Sequence, residues 1–260
     1  MGFLKFRTFD IMDINQYLDA TYLKTPQQAG ISEEENLQNV TTLLNEAVQF
    51  GYKLVMIRAN YIPLAKDFLK QHHSNSLIGT VIGFHEGNYS LQTKLAEAKH
   101  AINLGADELD FVINYEAFKK GNINLIKEEV LQGTKICLEN QKVVKWIIEV
   151  AALTSDEICA ISKLIKEIVL ENFGMEATKK VFVKSSTGFF KTEHNLPNGA
   201  TFETMKLMIE NAKPLQIKAA GGVRDYETAV KMITLGVDRI GTSSSKEICT
   251  NAISSKNSGY

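Results

Sequence analysis

Eight short runs of apolar, often β-branched residues recur along this chain, and each leads into a longer stretch of helical character. They lie around Leu18-Asp19 and over Lys53–Arg58, Leu77–Phe84, Glu108–Asn114, Val144–Ala151, Lys180–Ser185, Leu215–Ala219 and Arg239–Thr242. A run such as Leu77-Ile78-Gly79-Thr80-Val81-Ile82 has little polar alternation, as a parallel strand covered on both faces requires. Between the runs, Ser32–Phe50, Ser90–Leu104, Ser155–Asn172 and Tyr226–Leu235 space their apolar residues as amphipathic helices do. Ser32 with Glu35 predicts a capping box, and Gly51, Gly105 and Gly236 stand where a left-handed C-cap closes a helix. Eight strand–helix units within 260 residues predict an α/β fold, a single (β/α)8 TIM barrel with no room for a second domain. The alternative is an open doubly wound sheet, but neither GxGxxG after the first strand nor GxxxxGK followed by Ser or Thr occurs.

The barrel domain is expected over 1–250, with a small, polar, flexible tail over 251–260 that ends in Tyr260. A net charge of -1 gives no electrostatic reason to expect nucleic acid or a membrane as the main partner. The N-terminal residues lack the apolar stretch of a signal peptide, and Phe6 stands where a myristoylation signal needs Ser or Thr. No run approaches the roughly 18 apolar residues of a membrane span. Cys137, Cys159 and Cys249 are an odd, widely spaced set that fits packed thiols in a reducing compartment. A cytoplasmic location is therefore expected. The five histidines, His72, His73, His85, His100 and His194, lack the spacing of metal ligands, so no metal and no cofactor is expected.

In such a barrel the reactive groups sit where strands end. Side chains alternate along Glu108–Asn114, so Asp110, Val112 and Asn114 are expected on one face, with Asp107 and Glu108 beginning the strand in solvent. A carboxylate turned into the lumen needs a cation or donors to answer it. Lys184 follows the apolar Val181-Phe182-Val183, and Lys218 holds the matching place in Gln216-Ile217-Lys218-Ala219-Ala220. Neighbouring parallel strands lie roughly 4.8 Å apart, which would make the two lysines close neighbours. Like charge and desolvation both disfavour protonation, and a neutral amine is the nucleophile that forms a Schiff base with a carbonyl. Gly221-Gly222 and Gly241-Thr242-Ser243-Ser244, after the last two strands, suit a phosphate cradle of backbone amides and hydroxyls.

Six ordered segments resemble the deoxyribose-phosphate aldolase family: Thr80-Val81-Ile82-Gly83-Phe84, Gly105-Ala106-Asp107-Glu108-Leu109-Asp110, Ile147-Ile148-Glu149, Val183-Lys184-Ser185-Ser186-Thr187-Gly188, Lys218-Ala219-Ala220-Gly221-Gly222-Val223-Arg224 and Arg239-Ile240-Gly241-Thr242-Ser243-Ser244. The resemblance covers about Leu18 to Ser244. It implies a class I aldolase that reversibly cleaves 2-deoxy-D-ribose 5-phosphate to acetaldehyde and D-glyceraldehyde 3-phosphate, in deoxyribose catabolism. It further implies that Lys184 forms the Schiff base, that Lys218 keeps its amine reactive, and that Asp110 relays protons through a water. Asp19 would hold a lysine or a substrate hydroxyl. Thr187, Gly188, Gly221, Gly222, Arg224, Gly241, Ser243 and Ser244 would hold the phosphate end. Asn114 and Glu149 are further candidates, Glu149 as support for Lys184, and Tyr260 resembles a tail tyrosine that some members bring to the active site.

Three positions depart from the family pattern. Ala20 stands where many members have histidine, Met56 where many have cysteine, and Phe189 where some have a lysine that Lys191 or Arg224 would have to replace. The expected partners are small phosphosugar and aldehyde substrates and a second copy of the chain, since homodimers are the commonest closed assembly. The competing readings are another Schiff-base sugar-phosphate aldolase and a non-catalytic phosphosugar-binding barrel. The latter has no need for Lys184, Lys218 and Asp110 together.

Overall fold

A computed structural model describes residues 14–194 and 196–257, with side chains to residue 251. The strands are β1 (Leu18–Thr21), β2 (Leu54–Met56), β3 (Leu77–Ile82), β4 (Glu108–Val112), β5 (Val143–Ile147), β6 (Val181–Lys184), β7 (Gln216–Ala220) and β8 (Arg239–Thr242). All pair in parallel with their sequence neighbours, and β8 returns to β1 to close the barrel. The helices are α1 (Pro26–Ala29), α2 (Glu33–Phe50), α3 (Ile62–Gln71), α4 (Leu91–Leu104), α5 (Tyr115–Lys119), α6 (Ile123–Glu139), α7 (Ser155–Phe173), α8 (Phe202–Ala212), α9 (Tyr226–Leu235) and α10 (Ser245–Asn257). The (β/α)8 barrel expected from the alternation is the fold observed.

Local chemistry sets the helix ends. Ser32 and Glu35 form the predicted capping box, and Thr154 with Glu157 forms another at the start of α7. Gly51 closes α2 in the left-handed region at φ 65°, a conformation that costs other residues their Cβ clearance. The outer core lies between the barrel wall and the helices. Its largest member is Trp146, fully buried against Phe111, with its indole N–H donating to Thr134 Oγ1 at 3.1 Å. Helix α6 comes this close because Gly133 faces the indole, where a Cβ would stand 2.6 Å from Cη2.

Several strands are shorter than expected, and the early ends of β4 and β5 matter for the site. Strand β4 stops at Val112, so Asn114 leaves the alternation. It caps α5 instead, its Oδ1 accepting from the Ala117 amide at 3.0 Å. Strand β5 stops at Ile147, and the chain turns at Glu149, which adopts φ 56°. At the chain's end α10 continues to Asn257, across the boundary drawn at 250, while Tyr260 lies outside the described residues.

Candidate active site

Strand register builds the centre of the site. Asp110 is level with Lys145 across β4–β5, and Lys184 with Lys218 across β6–β7. Asp110, Lys145, Lys184 and Lys218 all point into the lumen and are buried. One carboxylate oxygen of Asp110, Oδ2, receives Lys184 Nζ at 2.8 Å and Lys218 Nζ at 2.8 Å. The other, Oδ1, receives Lys145 Nζ at 3.0 Å. Asp19, on β1, places Oδ2 2.6 Å from Lys218 Nζ, and its Oδ1 takes the Arg239 guanidinium, with Nε at 2.7 Å. Of the two roles expected for Asp19, the geometry displays the hold on a lysine.

Below this layer Glu108 is 2% exposed, contrary to the solvent position expected for it. It begins β4 at the floor of the lumen, where Lys145 and Arg239 both ion-pair with it and make burial of the carboxylate tolerable. Asp107 is half-buried and accepts the Ile78 amide at 2.9 Å, closing the start of β3. The sequence reading names neither Lys145 nor Arg239 as a site residue. Their signal was present: Lys145 is the one charged side chain in Val143-Val144-Lys145-Trp146-Ile147, on the face opposite the helix-packed Trp146.

The electrostatics follow from this packing. Burial disfavours the charged form of Lys184, and Lys218 and Lys145 push the same way. These effects outweigh the attraction of Asp110 and bring the amine down to about 8. Burial alone would raise the Asp110 carboxyl, but Lys145, Lys184 and Lys218 together hold it well below the usual carboxylate range. Burial likewise opposes charge on Lys145, yet Asp110, Glu108 and Asp19 around it raise its pKa. The opposite side of the lumen is apolar: Leu23, Leu54, Met56 and Val81 form a separate buried cluster there, capped by Phe84 and Phe189.

Above Lys184 opens a cavity of about 360 Å³. Of the expected residues, Lys184, Thr187, Gly188, Gly221, Gly222, Arg224, Gly241 and Ser243 line it. Asp110, Lys218 and Asp19 lie beneath it. Ser244 is not on the wall, and its amide is spent on Thr242 Oγ1 at 3.0 Å. Gly241 has a second reason to lack a side chain, since a Cβ there would stand 2.9 Å from the Lys218 stem. Gly221 and Gly222 both have left-handed φ, 81° and 89°, and Gly221 is crossed so closely by Gly199 that no side chain fits at either.

Glu149 is buried and works from behind the loop that follows β6. Its Oε2 accepts the Thr187 amide at 3.1 Å and also the Thr187 hydroxyl, fixing the turn that starts at Lys184. Burial pushes its carboxyl up, against the pull of the Thr187 hydrogen bonds. The cavity residues that the sequence reading did not name as site residues include Lys24, on the loop after β1, and Asn198, on the loop after β6. Arg224 reaches the wall, as does Phe189, whereas Lys191 is exposed and not on it. Phe189 stacks with His85 and meets Phe84 edge-on, so it is part of an aromatic rim.

Known proteins resemble the chain along nearly its whole length. The profile of DeoC/LacD family aldolases matches residues 14–250. A deoxyribose-phosphate aldolase of Thermococcus gammatolerans is 36% identical over 242 residues, covering 93% of this chain and 97% of that protein. One of Mycoplasma capricolum is 37% identical over 236 residues, covering 90% of this chain and 94% of that protein. Among solved structures, a tetrameric deoxyribose phosphate aldolase of Aeropyrum pernix superposes with a TM-score of 0.75 at 25% identity, covering 94% of this chain and 93% of that one.

Proposed function

The chain belongs to the DeoC/LacD family of aldolases, and we propose that it cleaves 2-deoxy-D-ribose 5-phosphate through a Schiff base on Lys184. The products are D-glyceraldehyde 3-phosphate and acetaldehyde, and the reaction is reversible. The observation that carries the assignment is the Lys184–Asp110–Lys218 triangle at the floor of the cavity, with the Lys184 amine lowered to about 8.

Each step has a group suited to it. Neutral Lys184 adds to C1 of the open-chain sugar, and the carbinolamine loses water to give an iminium. The C3 hydroxyl then gives up its proton, the C2–C3 bond breaks, and its electron pair moves onto the iminium to leave an enamine. Protonation at C2 and hydrolysis release acetaldehyde. Asp110, held ionised among three lysines, is the acceptor in these proton transfers through a water, and the Lys218 ammonium beside it is the donor. Asp19 keeps Lys218 in place. Thr187, Gly188, Gly221, Gly222 and Ser243 take the phosphate, with Arg224 as a cation; Glu149 fixes the Lys184 turn through Thr187. Among the described residues no helix is long and apolar enough to cross a membrane. We place the activity in the cytoplasm, in deoxyribose catabolism, with the chain working as a homo-oligomer of two or more copies.

Incubation with 2-deoxyribose 5-phosphate and borohydride, followed by intact-mass measurement and peptide mapping, tests the assignment. A reduced adduct on Lys184 that is absent from Lys184→Ala supports it. A folded protein that gives no adduct overturns it.

A further inference from the structure

The floor of the lumen holds charges that touch no substrate and take no part in the steps above. Lys145 and Glu108 are 0% and 2% exposed, and neither reaches the cavity wall. Barrels of this class ordinarily fill their interior with branched apolar residues, and burying an ion pair in their place costs stability. The pair lies directly under the reactive layer. Lys145 bridges Glu108 below and Asp110 Oδ1 above, the latter at 3.0 Å, while Lys184 holds the other oxygen of Asp110 at 2.8 Å. The Lys145 and Lys184 ammonium groups are therefore at most about 8 Å apart, close enough to interact strongly in a dry interior.

We propose that the buried Lys145–Glu108 pair is a positioning element that sets the protonation of Lys184 by fixing the net charge of the lumen. The inference rests on Lys184 being the reactive amine. The groups that face this amine come from every neighbouring element: Asp110 and Glu108 from β4, Lys145 from β5, Lys218 from β7, Arg239 from β8 and Asp19 from β1, with Glu149 behind the Thr187 turn. Glu149 sits behind the Thr187 turn and, among the described residues, makes no ion pair within the lumen, which sets four basic side chains, Lys145, Lys184, Lys218 and Arg239, against three acidic ones, Asp19, Asp110 and Glu108. That is one positive charge too many, and loss of a proton from Lys184 removes the surplus.

Lys184 is the member placed to lose it. It alone of the four cations opens onto the cavity, and it shares its only carboxylate with two other lysines. Arg239 and Lys145 each contact two carboxylates or more. Lys145 is also among the groups that bring the Lys184 amine down, behind burial and Lys218 and against the opposing pull of Asp110.

The two halves of the pair must then act with opposite sign. Glu108→Gln leaves the lumen more positive, so Lys184 sheds its proton at lower pH. Lys145→Met removes a cation, so Lys184 keeps its proton to higher pH. The double variant changes the net charge of the lumen by nothing and should restore the original value.

The test is the pH dependence of kcat/KM, whose acid limb reports the free enzyme, together with the yield of Lys184 adduct trapped by cyanoborohydride from 2-deoxyribose 5-phosphate. The acid limb of the wild-type protein is expected to have its midpoint near 8. It should move down in Glu108→Gln and up in Lys145→Met, each by on the order of one pH unit, and return in the double variant. A role confined to packing would lower activity at all pH values without moving the midpoints in opposite directions. Shifts of the same sign, or of less than about 0.3 pH unit in both, overturn the proposal while trapping on Lys184 still succeeds. No wild-type adduct at any pH overturns the Schiff-base assignment, and the inference with it. If Lys145→Met fails to fold, Glu108→Gln and the double variant supply the downward shift and the return.

Discussion

Replacing Lys94 by methionine should destabilise the barrel by a pH-dependent amount. Lys94 lies in the first turn of α4, 1% exposed, and its ammonium donates to the Gly87 carbonyl at 2.6 Å, the Val112 carbonyl at 2.9 Å and Glu129 Oε1 at 2.6 Å. The second oxygen of Glu129 accepts the Asn114 amide at 3.0 Å. Methionine keeps most of the stem and removes the charge. Glu129 then stays buried without its cation, and two carbonyls lose a donor. Stripping one partner from a buried pair costs about 3–5 kcal/mol, so about 4 kcal/mol is expected at pH 8. Burial already pushes the Glu129 carboxyl up, and Lys94 is the main group opposing that, so the variant raises it further. A carboxyl whose folded pKa is raised costs nothing below its unfolded value, and the cost builds as pH rises from there through its folded value. At pH 5 the charge penalty therefore fades, leaving the carbonyls' share of about 2 kcal/mol. Urea unfolding at pH 5 and pH 8 reads both figures. A loss under about 1 kcal/mol at pH 8, or equal losses at the two pH values, would refute the reasoning. The same pair ties down the segment carrying Phe84 and His85, so KM should rise more than kcat falls.

Three further outcomes follow from the same geometry. Asp110→Asn should lower kcat by about 10²–10⁴-fold through loss of the proton acceptor, while Lys184 still traps substrate. A loss below tenfold would remove Asp110 from the relay. Lys24→Met and Arg224→Met should each raise KM for 2-deoxyribose 5-phosphate severalfold and leave KM for unphosphorylated 2-deoxyribose unchanged, since both cations line the cavity where Phe189 supplies none. Equal effects on the two substrates would argue against a phosphate contact. Gly133→Ala would set a Cβ 2.6 Å from Trp146 Cη2 and 2.8 Å from Cζ2, an overpacking expected to cost about 1–3 kcal/mol. Thermal unfolding should register it at roughly 2–4 °C per kcal/mol, and an unchanged Tm would mean that α6 moves away freely.

The barrel was legible because parallel strands buried on both faces leave continuous apolar runs, as Leu77–Ile82 does. The pairing of Lys184 with Lys218 was legible for a related reason: each is the lysine within an apolar run on adjacent strands, and the observed register sets them level, although Lys184 ends β6 while β7 continues two residues past Lys218. Longer reach was not. Whether Glu108 meets Arg239 depends on the stagger accumulated around the barrel, which no local pattern encodes, so a residue expected in solvent became the floor of the lumen. Asn114 was misplaced because alternation was carried two residues too far, into a helix cap that its own side chain makes. Lys94 and Glu129 belong to two helices and meet only through the fold.

The division of the lumen explains why the lowered amine is compatible with a neighbouring carboxylate. Asp110 at 2.8 Å would by itself hold Lys184 protonated. Its charge is, however, already claimed by Lys145 and Lys218, which occupy both of its oxygens. On the far side Leu54, Met56 and Val81 offer no dipole to solvate an ammonium. Burial is accordingly the largest influence on Lys184, and the carboxylate beside it is largely neutralised. Asp110 can therefore stay ionised for proton transfer without locking its neighbour in the charged form. An isolated Lys–Asp pair in the same barrel could not satisfy both demands, which gives the additional lysines a chemical rather than a packing reason to be there.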